Sequence, residues 1–150
     1  MSNSFFQQLL KHEHWASVHV ADALLSLDTI PEKAKTIFDH LIAAHENWYA
    51  RTQSTAPSLE ISLSDIPVSS YKALLDEYQI KWMTLLEEPD ALEKRVTYKN
   101  TKGQEFTNPV SEILTHLCLH QQYHRGQVLT LIRPLVEVVP ATDFIAFLRL

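Results

Sequence analysis

His116-Leu-Cys-Leu-His120-Gln-Gln-Tyr-His124-Arg125-Gly126-Gln127 places three imidazoles four residues apart, in a stretch whose apolar spacing is helical. A four-residue step on an α-helix advances about 400°, so His120 and His124 lie one above the other and two ring nitrogens can reach one cation. Working outward, Ile113, Leu117, His120, His124, Gln127 and Leu131 follow alternating steps of four and three, the spacing of a core seam. Imidazoles in such a seam need hydrogen-bond partners or a metal, because burying a polar group unpaired costs roughly 2 to 7 kcal/mol.

The histidine run belongs to the last of four long helices expected from the chain. The first starts after Ser2-Asn3-Ser4, carries Phe5, Leu9, Ala16, Val20, Leu24 and Leu27, and ends near Asp28. Pro31 suits the first turn of a second helix running to about Thr52, with Ala34, Phe38, Leu41, His45 and Trp48 on one seam. Gln53 to Val68, rich in Ser, Thr and Pro, is expected as a long loop bordering a functional cleft. Ser69 or Ser70 can cap a third helix, which Pro89 stops. Arg95–Lys99 and Gln104–Thr107 suggest a small extended hairpin around Asn100 to Gly103. Asn108-Pro109 then caps and opens the fourth helix, which ends before Pro134, and Thr142 or Asp143 starts a short C-terminal helix. The fold class expected is all-α, as one domain over residues 1–150 with a core that needs no disulfide staples.

Composition narrows the function. A formal charge of −5, with 13 basic and 18 acidic residues and no basic cluster, gives no footprint for nucleic acid. The start of the chain has no basic leader with an apolar run, and no later segment is apolar enough to span a bilayer, so a soluble cytoplasmic protein is expected. The lone Cys118 excludes an internal disulfide and agrees with a reducing compartment.

If the second and fourth helices are neighbours, His45 can join His120 and His124 around one divalent cation. Three neutral nitrogens suit Zn²⁺ or Ni²⁺, with Fe²⁺ or Mn²⁺ as alternatives, and three protein ligands leave a coordination position open to water or substrate. His116, beside Leu117 and to one side of the seam, is expected to support the site, although it could replace His124 as a ligand. Cys118 lies about 200° round the helix from His120 and is expected to be a small buried apolar residue. His12, His14 and His19 are assigned to solvent or a cleft rim, and His40, five residues before His45, to the surface. Arg125 is expected in a surface or interface ion pair. Gly126 is expected where another helix approaches closely, and no residue stands out as a general acid or base.

Three further features carry a resemblance. Leu41-Ile-Ala-Ala-His45-Glu-Asn-Trp48, His116-x-x-x-His120-x-x-x-His124-Arg-Gly-Gln127 and His14-Trp15-Ala16 resemble the second-helix, fourth-helix and first-helix motifs of the DinB family of YfiT-like metalloenzymes. Pro140-Ala-Thr-Asp143-Phe-Ile-Ala-Phe147 resembles the closing segment of that family. The resemblance implies an up-down-down-up four-helix bundle, a divalent metal held by residues corresponding to His45, His120 and His124, and frequently a homodimer. It further implies a small-molecule substrate, with either water or a low-molecular-weight thiol activated at the metal, as in the thiol transferases and hydrolases of the family. The competing expectation is a non-catalytic metal-binding or stress-response bundle. A di-iron carboxylate site is disfavoured because the histidine helix lacks the Glu-x-x-His pattern.

Overall fold

The computed structural model describes residues 2–55, 66–100 and 102–150. The described part is mostly helical. Helix α1 (Asn3–Leu25) starts where the Ser2 hydroxyl accepts the Phe5 amide, satisfying one of the otherwise unpaired first-turn donors. Helix α2 (Glu32–Thr52) follows Pro31, with Glu32 in its first turn and Arg51 in its last, each complementing the helix dipole. Helix α3 (Tyr71–Leu85) follows a single 3₁₀ turn at Val68–Ser70. Strands β1 (Arg95–Lys99) and β2 (Glu105–Pro109) pair antiparallel, Val96 opposite Asn108 and Tyr98 opposite Phe106. Gly103 takes the left-handed φ of 77° that closes their turn. Helix α4 (Val110–Ile132) and the short α5 (Phe144–Phe147) complete the described elements.

Two caps differ from expectation. The Ser70 hydroxyl donates back to the Pro67 carbonyl, and the serine's own backbone is already helical, so its side chain caps nothing. Asn108 sits in β2, where its side chain accepts the Tyr98 hydroxyl and donates to Glu112, leaving Pro109 as the residue that precedes α4. Most of the loop expected from Gln53 to Val68 lies outside the described residues.

Paired side chains give the topology. Against α1, helix α3 runs antiparallel, since Asn3 meets the Leu86 carbonyl while Lys72 meets Asp22. Helices α2 and α3 run parallel, because Tyr71 donates to Asp39 and Tyr78 to Glu46 at the same seven-residue spacing. Antiparallel α2 and α4 bring Leu41 to Gln121 and Trp48 to His116. The bundle is therefore up-down-down-up, with α2 packed between α3 and α4 and the hairpin set beside the end of α2.

The core of Phe6, Leu10, Leu24, Phe38, Leu41, Tyr78, Trp82, Leu114, Leu117 and Val128 is closed to solvent, and in its middle sits a polar group. On α4 the buried positions are Val110, Ile113, Leu114, Leu117, Gln121, Arg125, Val128 and Ile132, so Ile113 and Leu117 face inward as read, and from Gln121 onward the seam runs about 100° round from the one read off the histidines. Arg125 is a core residue and not the surface or interface partner expected of it. It is 1% exposed, and its Nη1 lies 3.1 Å from Glu13 Oε1 and 3.0 Å from Ser17 Oγ. Its Nη2 donates to Gln122 Oε1 at 2.9 Å. Gly126 is exposed, with open space where a side chain would begin, so no helix approaches it closely.

Burial by itself would raise the Glu13 carboxyl. The His45 ring, the Arg125 guanidinium and the Ser17 hydroxyl outweigh burial and hold it at about 2. Glu13→Gln would leave a buried guanidinium without its counter-charge, and urea unfolding should show a loss of about 3 to 5 kcal/mol. Because the folded value lies below the ordinary 4.5, the carboxylate's contribution is complete above that pH and disappears as pH falls toward 2. Glu13→Gln should therefore flatten the acid limb of the stability profile in that window.

Candidate metal centre

The seam shift decides where the histidines lie. With Gln121 and Arg125 facing the centre of the bundle, His120 and His124 stand on the flank of α4 that meets α2. The α2 residue opposite them is His40. Ligand-capable nitrogens of His40, His120 and His124 all lie within 4.8 Å of one another. His40 Nε2 is 3.0 Å from His120 Nε2, and the rings of His120 and His124 have centroids 4.5 Å apart. Two nitrogens bound to one Zn²⁺ at about 2.0 to 2.1 Å stand about 3.3 Å apart in tetrahedral geometry, so this group is close to the required spacing.

His40, expected at the surface, is half-buried in that group. His45 is not brought into it. The Trp82 indole, which can only donate, gives its proton to His45 Nδ1 at 3.1 Å. His45 Nε2 then carries the ring proton and lies 3.2 Å from Glu13 Oε2, off the alignment of a hydrogen bond. The ring stacks on Tyr78 in the centre of the bundle. One nitrogen is thus occupied by Trp82 and the other lies beside a carboxylate, and neither belongs to the three-histidine group.

The donor set fits a divalent cation. His124 Nδ1 is 2.7 Å from Gln127 Oε1, and an amide oxygen can only accept, so the proton sits on Nδ1 and the Nε2 lone pair is free. His120 Nδ1 is buried with no hydrogen-bond partner among the described residues. Burial, followed by the charges of His124, His40, His116 and His45, pushes His120 down to about 4. Burial and His124 also lower His40. Both rings are then neutral at pH 7, the state a metal ligand needs.

All three histidines are half-buried. None of them lines the nearby cleft of about 460 Å³, whose lining includes Trp48, Arg51, Tyr98, Phe106 and exposed His116, the residue whose ring neighbours His120. The His116 ring centroid is 5.7 Å from that of His120 and 5.1 Å from that of Trp48. A larger cavity of about 600 Å³ lies on the other flank of α4, against α1, and contains none of the three histidines. Cys118 lines that second cavity, half-buried, its thiol pushed up to about 12 by burial and by Glu13. Such a thiol is neither a ready nucleophile nor a metal ligand.

The remaining histidines have ordinary partners. His12, expected in solvent or at a cleft rim, is buried from solvent but lines the larger cavity, with Nε2 2.8 Å from the Thr142 carbonyl, and so ties α1 to the segment before α5. His14 meets Asp76 and exposed His19 meets the Trp15 carbonyl. Glu46 is buried and accepts the Tyr78 hydroxyl. The signal that could have selected His40 is its position beside Leu41: a residue next to the seam faces the neighbouring helix, not the bundle centre.

A sequence profile of the DinB family matches residues 1–150. Neither a curated protein nor a solved structure matches the chain. Its full-length match to that profile, on a bundle whose second and fourth helices share three histidines, means that the chain belongs to the DinB family.

Proposed function

We propose that this protein is a metal-dependent enzyme in which His40, His120 and His124 hold one divalent cation, Zn²⁺ or Ni²⁺ by the preference of an all-imidazole set, for chemistry on a small electrophilic substrate. The observation that carries the reading is the convergence of three half-buried imidazoles with no fourth ligand in the group among the described residues, where a purely structural metal would be enclosed by a fourth protein ligand. When bound, the cation supplies Lewis acidity that holds water or a thiol in its deprotonated, nucleophilic form at neutral pH.

This chain's own residues supply orientation and access. Gln127 fixes the His124 tautomer and ring direction, while exposed His116 and the Trp48 face line the way in from the cleft. Between the two nucleophiles, we favour a low-molecular-weight thiol over water on family analogy. The only cysteine of the chain has its thiol held protonated, so that thiol would come from a small co-substrate.

Metal content measured on purified variants tests the ligand set. His40→Ala and His120→Ala should lose the cation, whereas His45→Ala should keep it and instead unfold at lower urea. Metal retained in His40→Ala and lost in His45→Ala would reverse the assignment. Gln127→Ala should weaken metal affinity by about 10- to 100-fold, read by competition with a chromophoric chelator. In metal-free protein, the His120 ring should titrate near 4 by NMR instead of near 6.5. Since the folded ring binds fewer protons than the unfolded one between those values, acidification through that window should destabilise the metal-free form. A screen of thiol conjugation against ester and amide hydrolysis separates the two nucleophiles, and an inert metal-loaded protein in both would point to a binding role.

A further inference from the structure

The cleft near the histidine group contains a cation with no counter-ion among the described residues. Arg51, in the last turn of α2, holds its guanidinium carbon 4.3 Å from the Trp48 ring centroid and 4.9 Å from that of Tyr98 in β1. It makes no carboxylate contact among the described residues, and the interactions that fix it are those two aromatic faces. Half-buried and aromatic-flanked, this charge is partly stripped of water, which makes it a strong site for an anion that can form a bidentate pair. The lining around it carries three flat rings, Trp48, Tyr98 and the 45% exposed Phe106, beside polar Asn100 and Asn108. Glu112, held by Asn108 at 2.8 Å, stands on the same lining and opposes a second negative charge.

We propose that this cleft binds a small monocarboxylate with a flat, conjugated or aromatic body, with Arg51 pairing the carboxylate and Trp48, Tyr98 and Phe106 covering the body. The Glu112 carboxylate disfavours dianions such as phosphate esters. The ring of His116 lies between the cleft and His120, so a ligand anchored on Arg51 extends toward the three-histidine group. The assignment of this ligand as the substrate rests on the metal-centre reading, whereas its binding does not require the metal. Trp48 and Arg51 are eight and eleven residues beyond His40 on the same helix, which places anion recognition and metal binding on one rigid element.

Binding can be followed in the full-length ¹⁵N-labelled protein through the Trp48 indole resonance, assigned with Trp48→Phe. Benzoate, benzamide and phenyl phosphate are the probes, since they share a ring and differ in charge. Benzoate should shift the Trp48 signal saturably and bind at least about tenfold more tightly than either of the others. Arg51→Met should bring benzoate down to the level of benzamide while metal content stays unchanged, and metal-free His40→Ala should still bind benzoate. No response at Trp48, equal affinity for benzoate and benzamide, or full benzoate affinity in Arg51→Met would overturn the proposal. Should Arg51→Met fail to fold, the comparison of the three probes on the unaltered chain still decides. Benzoate discrimination in an unaltered chain that takes up neither Zn²⁺ nor Ni²⁺ when they are supplied would instead overturn the metal-centre reading and leave the carboxylate site standing.

Discussion

A guanidinium buried in the centre of a helical bundle must be neutralised where it stands, and that requirement organises this molecule. Arg125 from α4 is paired with Glu13 and Ser17 from α1, the other face of Glu13 approaches His45 of α2, and His45 accepts from Trp82 of α3. All four long helices meet in one chain of polar contacts. Shifting any of them along its axis would part the buried guanidinium from its carboxylate or break the Trp82–His45 hydrogen bond in a medium of low dielectric, a far larger penalty than a shifted leucine incurs. The aliphatic core supplies bulk stabilisation without direction, whereas this network has one geometry.

That geometry also sets the direction of the histidines. Because Arg125 and Gln121 take the inward positions of α4, the residues immediately before them are turned toward α2 and half-open to solvent. His120 and His124 therefore meet His40 in the α2/α4 groove, half-buried, where burial holds the His120 ring neutral. A network of buried groups inside the bundle and a triad of histidines on its flank are two sides of one rotational setting of α4. The Asp39–Tyr71 and Glu46–Tyr78 pairs hold α2 in parallel register against α3, and thereby hold His40 opposite its partners.

Much of the fold was legible in the chain. Four helices, the hairpin and the short last helix follow from apolar periodicity, from Ser2, Pro31 and Pro109 near helix starts, and from the Asn100–Gly103 turn, because those signals act over a few residues. His120 and His124 were also legible, since a spacing of four on one helix fixes their mutual position without reference to anything else. Their third partner was not. Reading His45 into the seam of α2 correctly placed it facing inward, yet the inward position belongs to the Glu13 and Trp82 network, and the group on the flank takes His40. On α4 the same ambiguity arises because leucines on three sides of the helix permit seams one residue apart, and a buried arginine does not announce itself in an apolar pattern.

By itself, then, the amino-acid order determined the helices, their approximate ends and the pair of imidazoles on the last long one, all consequences of geometry within a single element. Tertiary structure alone decided which face of each helix turned inward, and so which histidine completed the triad and that Arg51 would lie against two aromatic rings. The physical reason is that helical periodicity fixes the angle between residues on one helix but not the rotation of that helix about its axis. Rotation is set by the most costly group to leave unpaired, and here that group is a buried arginine whose carboxylate partner lies 112 residues away in the chain.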